Sequence, residues 1–393
     1  MRRRSFLAMG AAAGVAAVPG ITTATASAAT TRTARSSATS GDVTADSLRA
    51  LAAKINLRVG TAVIPFDLDT PAYNAIVGSQ FSVVTPGNEM KWQIVEPQQG
   101  QFDWSGADRL VNYAEAHGQL VRGHTLMWHN QLPDWLTTGV ANGTISKSQL
   151  WGLLEHHIFT EMGRYRGRIW QWDVANEFFM DANPSGINPN DFWISHLGTG
   201  VLPQAFKWAH EADPHALLFY NDYNIGGEDG SNAKSDAVYA WLRQMLDQGV
   251  PITGVGNQGH LDTQYGFSGQ RLTDDLQRYA SLGLKVAITE ADVRTFVDSP
   301  TTQNPTSNLA LFAQPYEFGL MMQAALAVPE CISFTVWGFS DADSWVPGFF
   351  TGEGYATIYD VNLNPKPAYF ELQELLRLAA FGAPRRVQTN SHF

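Results

Sequence analysis

From residue 45 onward, short apolar or β-branched runs alternate with longer stretches of helical period. The short runs, near 57–64, 81–86, 120–128, 169–176, 216–220, 252–256, 285–289 and 331–338, read as strands. Between and after them, apolar positions recur at helical spacing over 107–117, 146–164, 236–248, 273–282, 316–327 and 368–380. Eight strands alternating with helices predict an α/β fold, a (β/α)8 TIM barrel forming a single catalytic domain over 45–382. A doubly wound open sheet that bound a dinucleotide would carry a Gly-rich turn after its first strand. The stretch VGTAVIPF, 59–66, has no such turn. No internal repeat and no second domain are evident, and 383–393, APRRVQTNSHF, reads as a polar tail.

The polar positions that interrupt this pattern gather at the C-terminal ends of the strands. The fourth strand ends in Asn176 and Glu177, and the seventh in Thr289 and Glu290, with Asp292 just beyond. The third passes through His124 to Trp128, the sixth leads to Gln258 and His260, and the eighth reaches Trp337. In a barrel these ends surround one crevice, so the pattern predicts a single active site. A lone acid at a strand end would be unremarkable. Acids on the fourth and seventh strands, ringed by His, Gln, Asn and Trp, are hard to explain as structure alone.

Composition narrows the ligand. The chain is 44% hydrophobic but only 16% charged, with 12 Trp, which suits flat apolar faces offered to a neutral polar ligand. The net charge of −11, with no basic cluster beyond the N-terminus, argues against nucleic acid and against acidic polymers. The single cysteine, Cys331, excludes an intrachain disulfide and a Cys-rich zinc site. No His/Asp/Glu spacing demands a metal, and no cofactor is expected.

The N-terminus has its own signature. MRRRSFLAMGAAAGVAAVPGITTATASAA joins a basic start, an apolar stretch and small residues at its end, the plan of a secretory signal over 1–29. RRSFL at 3–7 resembles a twin-arginine export signal, so a secreted, extracellular protein is expected. The apolar part is too short to span a bilayer, and no stable membrane association is expected. Residues 30–44, rich in Ser, Thr and Ala, read as a disordered spacer.

Two carboxyl groups facing one another across a barrel mouth suit cleavage of a glycosidic bond. One protonates the leaving oxygen, and the other attacks the anomeric carbon or activates water. A separation of about 5–5.5 Å implies the retaining route, and a wider gap inversion. The spacing along the chain permits the short distance without fixing it. Such a pair must also differ in acidity, with the nucleophile kept ionised by hydrogen bonds.

At these residues the chain resembles a family. WDVANE and ITEADV, with TPGNEMKW, VRGHTLMWHNQLPDW, YNDYN, GNQGHL and VWGFSDADSWVPG, resemble in order the motifs of glycoside hydrolase family 10, the retaining endo-β-1,4-xylanases. The match runs from about 48 to 378. The resemblance implies that Glu177 is the acid/base and Glu290 the nucleophile. It implies that Asn176 bonds the 2-hydroxyl of the sugar under attack, and that Gln258 lies beside that sugar. His260 would be bonded to the nucleophile and oriented by Asp292. Asn88, Lys91, His124, Trp128 and Gln131 would hold sugars on the non-reducing side. Trp337 and Trp345 would wall the cleft, and Tyr223 would lie under the first leaving-side sugar. The expected partner is xylan or a xylo-oligosaccharide, bound by a monomer. The same machinery acting on another β-1,4-glycan is the nearest alternative, disfavoured because the counterparts of Gln131 and Trp345 crowd the space of a hexose hydroxymethyl. A catalytically silent glycan-binding barrel is the other, and loss of a glutamate would have signalled it.

Other residues read as structural. His156 and His157 are expected on a helix surface, Asp173 as a buried hydrogen-bonded acid, and Glu89 as facing away from Asn88, with a structural role and ligand contact equally open for it. The chain also departs from the family. Gly87 stands where TPENEMKW has a glutamate that binds the sugar two positions before the cleaved bond, so a weakened distal subsite is expected. Asn257 and Gly259, and Ala175 and Phe178 in WDVANEF, differ as well.

Overall fold

The computed structural model describes residues 43–382. The export signal expected at 1–29, the spacer except its last two residues, and the polar tail lie outside the described residues.

Eight parallel strands close into a barrel: β1 (Arg58–Val63), β2 (Val83–Pro86), β3 (Leu120–Met127), β4 (Gln171–Asn176), β5 (Leu217–Asp222), β6 (Gly254–Asn257), β7 (Lys285–Phe296) and β8 (Cys331–Val336). Neighbours in sequence are neighbours in the sheet. Gly60 pairs with Val83, Arg122 with Gln171, Phe219 with Gly254, and Gly254 with Lys285. Closure comes from β8, which pairs with β7 at Val286↔Cys331 and with β1 at Arg58↔Ser333. The strands lie where the apolar runs predict them, with one difference. β7 runs seven residues past its expected end at residue 289. Its register against β8 shifts between Ile288 and Ala291, so Glu290 sits where the strand leaves the barrel. Beyond that point Asp292 pairs with His260 of a short added strand, His260–Asp262, and Phe296 pairs with Glu353.

Apolar side chains fill the layer between strands and helices. Trp172, fully buried, packs there against Gly123, where an added Cβ would stand 2.2 Å from the indole. Side chains alternate along a strand, so Asp173 points the other way, into the barrel. There Phe219 and Ala287 make a small apolar cluster with Ile332, and two residues further along the same strands come Asn221 and Thr289. The barrel interior therefore changes from apolar to polar toward the mouth.

The helix Lys147–Arg164 corrects one expectation. Ser146 and Gln149 form a reciprocal capping box at its start. Leu150, Leu154, Ile158 and Met162 then define its buried stripe. His156 is exposed, but His157 stands three residues after Leu154 and is buried with them, as is Glu161. His157 stacks on Trp92 with ring centroids 3.9 Å apart and 3° between planes. Among the described residues no helix is long and apolar enough to cross a membrane.

Candidate active site

The polar strand ends converge at the mouth. Asn176 closes β4, and Glu177 follows with φ 62°, a left-handed backbone that bends the chain out of the sheet. The bend is held by Glu177 N–H donating to Asn221 O at 3.0 Å and Phe178 N–H donating to the Tyr220 hydroxyl at 3.2 Å. Glu177 is half-buried, while Glu290 is only 4% exposed.

Each carboxyl is gripped by donors. Glu177 Oε1 accepts from Gln258 Nε2 and Oε2 from Trp128 Nε1, both at 2.8 Å. Glu290 Oε1 accepts from Asn221 Nδ2 at 2.8 Å and from Arg122 Nη2 at 3.2 Å. His260 Nε2 lies 3.4 Å from Glu290 Oε2, and its Nδ1 lies 3.0 Å from Asp292 Oδ1. A path of side-chain contacts links the two carboxyls. Gln258 Nε2 reaches Asn176 Oδ1 at 3.5 Å, and Asn221 Nδ2 reaches the same oxygen at 2.8 Å. That leaves Asn176 Nδ2 buried without a hydrogen-bond partner, a donor free for a ligand hydroxyl.

The charges at Glu290 are asymmetric. Burial alone would raise its carboxyl, but the His260 hydrogen bond and the neighbouring His124 and Arg122 hold it well below the ordinary carboxylate range. Burial works against a charged His260 too, yet Asp292 and Glu290 outweigh it and push the imidazole up to about 10. Lys91 is pulled down to about 8 by burial, against the opposing pull of Glu290, Glu177 and Glu89.

The non-reducing-side candidates form one group. Asn88 Oδ1 accepts from Lys91 Nζ and from Gln131 Nε2, each at 3.1 Å, and Lys91 Nζ lies 5.2 Å from the Trp128 ring centroid. His124 Nδ1 lies 2.8 Å from Asp173 Oδ2, and its ring meets Trp337 edge-on at 5.2 Å. Trp345 Nε1 donates to Asp292 Oδ2 at 2.7 Å and its ring stands 5.1 Å from His260. Tyr223 sits on the other side of the group. It follows β5 and lies beneath Lys234 Nζ, 3.5 Å from its ring centroid, with Asp181, Asp222 and Glu177 among the charges near it. Glu89 turns toward the helix Ser105–Ala116. Its Oε2 accepts from Asn88 N–H at 3.0 Å, and Gly106 has no room for a Cβ beside it.

Three residues matter more here than the sequence reading allowed. Asp173 is buried and hydrogen-bonded as expected, but its partners are Arg122 and His124, which also bear on Glu290. Arg122 is a fully buried cation that additionally donates to Thr289 O at 2.9 Å. Asn221 takes a hydrogen bond from Thr289 Oγ1 at 2.7 Å, which fixes which end of its amide faces Glu290. Alternation was the available signal: Arg122 shares a face with His124, and Asn221 follows Phe219 by two. His124, Asp173 and Glu290 bring ligand atoms within 4.8 Å of one another. The Arg122 guanidinium already bonds both of those carboxylates, so the group reads as an ion-pair network.

Known proteins share this arrangement of chain. The model of glycosyl hydrolase family 10 matches residues 47–375. Endo-1,4-beta-xylanase B of Thermotoga neapolitana is 39% identical over 335 residues, 84% of this chain and 91% of that protein. An endo-1,4-beta-xylanase of Agaricus bisporus is 39% identical over 312 residues, 79% of this chain and 88% of that one. Among solved structures, xylanase 10B from Thermotoga maritima superposes with a TM-score of 0.78 at 36% identity, over 85% of this chain and 99% of that chain. Xylanase 10B from Thermotoga petrophila, solved with xylobiose, gives 0.77 at 36% identity, over 85% and 98%.

Proposed function

Because the chain belongs to glycosyl hydrolase family 10, we propose that it is an endo-1,4-β-xylanase that cleaves xylan with retention, Glu290 being the nucleophile and Glu177 the acid/base. The observation that carries this reading is the asymmetric carboxyl pair. Glu290 is buried, held ionised by His260 and Arg122, and linked through Asn221 and Asn176 to a Glu177 that opens on the cleft. The names of the relatives and the xylobiose complex of the Thermotoga petrophila protein support xylan as the substrate.

Glu290 attacks the anomeric carbon while Glu177 gives its proton to the departing oxygen, leaving a sugar ester on Glu290. Glu177, now ionised, takes a proton from water as that water attacks the same carbon, and the ester bond to Glu290 breaks. Hydrogen bonds from Gln258 and Trp128 keep Glu177 aimed through both steps. The free Asn176 Nδ2 donates to the 2-hydroxyl of the reacting sugar, a contact that strengthens in the transition state. Asn88, Lys91, His124 and Gln131 bond the sugars beyond it, with Trp128, Trp337 and Trp345 as stacking walls and Tyr223 on the leaving side. Release of reducing sugar from xylan, carboxymethyl-cellulose and mannan tests the substrate class. Cleavage of xylan far above the others is expected, and equal or greater cleavage of a hexose polymer contradicts it.

We further propose that the protein acts as a monomer outside the cell after export through the signal at 1–29, led by RRSFL. N-terminal sequencing of secreted protein, and loss of secretion in the Arg3→Lys/Arg4→Lys variant, are the expected results.

A further inference from the structure

Outside the cleft, a buried lysine ties together segments far apart in sequence. Lys366 is 4% exposed, and its Nζ donates to Asp341 Oδ2 and to Tyr355 O, each at 2.8 Å. It also stands 3.3 Å from the centroid of the Tyr355 ring, so that ring faces the ammonium as well. Asp341 is 1% exposed and equally occupied. Its Oδ1 accepts from Thr357 N and Thr357 Oγ1, both at 2.9 Å, and its backbone oxygen accepts from Gln303 Nε2 at 2.6 Å. Gln303 Oε1 in turn accepts from Tyr355 N–H at 2.8 Å. The clasp thus joins the loop after β7, the loop after β8 and the approach to the last helix.

A buried ion pair is weak grounds for stability, since packed apolar residues often serve as well. What such a pair fixes is one geometry, and here the geometry leads to the site. Asp341 begins the single 3-10 turn Asp341–Asp343, and Trp345 follows two residues later as the cap of the next short helix, Val346–Phe349. Trp345 Nε1 donates to Asp292, Asp292 pairs with His260, and His260 pairs with Glu290. Resting on the glycosidase reading above, we propose that Lys366 and Asp341 are positioning residues, which act through Trp345 to hold Asp292 and His260 against the nucleophile.

Glu290 faces Arg122, His124, His260 and Lys91, with Asp173 and Glu177 as the nearby acids besides Asp292. Lys366 faces Asp341, with Asp360 as the next acid. None of the cations around Glu290 belongs to the clasp. A change at Lys366 therefore reaches Glu290 through the Trp345 segment, the route the proposal takes, or through Ala356, whose oxygen accepts from Val293 N–H beside Asp292; only the first is shared with a change at Trp345.

The test compares Lys366→Met/Asp341→Asn, which removes both charges together, with Thr357→Val, which trims one bond to Asp341, and with Trp345→Phe. Each is assayed for kcat/KM on an aryl β-xylobioside across pH, beside a melting curve. Both clasp variants are expected to move the acid limb of the profile upward, the Lys366→Met/Asp341→Asn variant by about one pH unit, the scale of weakening one hydrogen bond to a charged group. Trp345→Phe should give the same displacement, and adding it to the clasp variants should give little more. A lowered melting temperature with an unmoved acid limb overturns the proposal, as does a displacement that adds in full to that of Trp345→Phe. If wild type itself fails to cleave the xylobioside, the glycosidase reading fails first, and the two failures are distinct.

Discussion

Asn221 donates its amide nitrogen to Glu290 Oε1 at 2.8 Å, and the same nitrogen lies 2.8 Å from Asn176 Oδ1. One side chain therefore braces the proposed nucleophile and the residue proposed to hold the reacting sugar. Replacing Asn221 with Ala removes a hydrogen bond to a charged group, worth about 1.5–3 kcal/mol, or roughly ten- to a hundred-fold in kcat/KM. Steady-state rates on an aryl β-xylobioside check this. A fall below three-fold would show that Arg122 and His260 suffice to hold Glu290 without it.

Lys91 carries a prediction about alkaline pH. Burial brings its ammonium down to about 8, so the charge is present below that pH and lost above it. KM for xylo-oligosaccharides should rise as pH passes through 8, where Lys91 ceases to be a charged donor. Lys91→Arg keeps its charge throughout and should flatten that rise, whatever its basal KM. A KM rise of equal size in both proteins would assign it to another group.

The buried pair behind Trp92 predicts a stability profile. His157 Nε2 and Glu161 Oε2 are 3.4 Å apart, but burial lowers His157 to about 3 and raises Glu161 well above its ordinary value. The two are therefore held as a neutral imidazole and a neutral acid. For Glu161 the folded value is the higher one, so its contribution is fully present below about 4.5 and is lost as pH rises through the folded value. His157 contributes in the opposite sense, above 6.5 and falling toward 3, and is common to both proteins compared. Glu161→Gln should gain melting temperature relative to wild type as pH rises from 5 to 8. A difference that stays level across that range would mean Glu161 is ionised in the fold.

Gly87 bears on substrate fit. It is half-buried with an ordinary backbone, and an added Cβ would meet only Val63 O, at 3.5 Å. No packing reason demands glycine here, and a glutamate fits without backbone strain. Gly87→Glu, supplying an acceptor for sugar hydroxyls beside Asn88, is expected to raise kcat/KM on short xylo-oligosaccharides about ten-fold, one charged hydrogen bond. No gain, or a loss, would count against a weakened distal subsite.

The barrel was legible because its strands are apolar runs bounded by helical period, and because polar residues collect at one end of each. The pair Glu177 and Glu290 was legible for the same reason. What escaped were residues whose surroundings only closure creates. Arg122 stands alone in an apolar strand until β4 and β7 bring Asp173 and Glu290 to it. His157 looked like surface because two histidines in a row obscure which one falls on the Leu154 stripe. The length of β7 was hidden by ITEADV, whose acids read as a strand end although the backbone continues to Phe296.

The division of labour between the two glutamates is tested most directly by trapping. Protein incubated with an activated 2-deoxy-2-fluoro-β-xylobioside, then digested and mapped by mass spectrometry, should carry one sugar per chain on the peptide containing Glu290, at that residue. Label on Glu177, or none at all from a protein that still turns over aryl xylobioside, would contradict the double displacement proposed here.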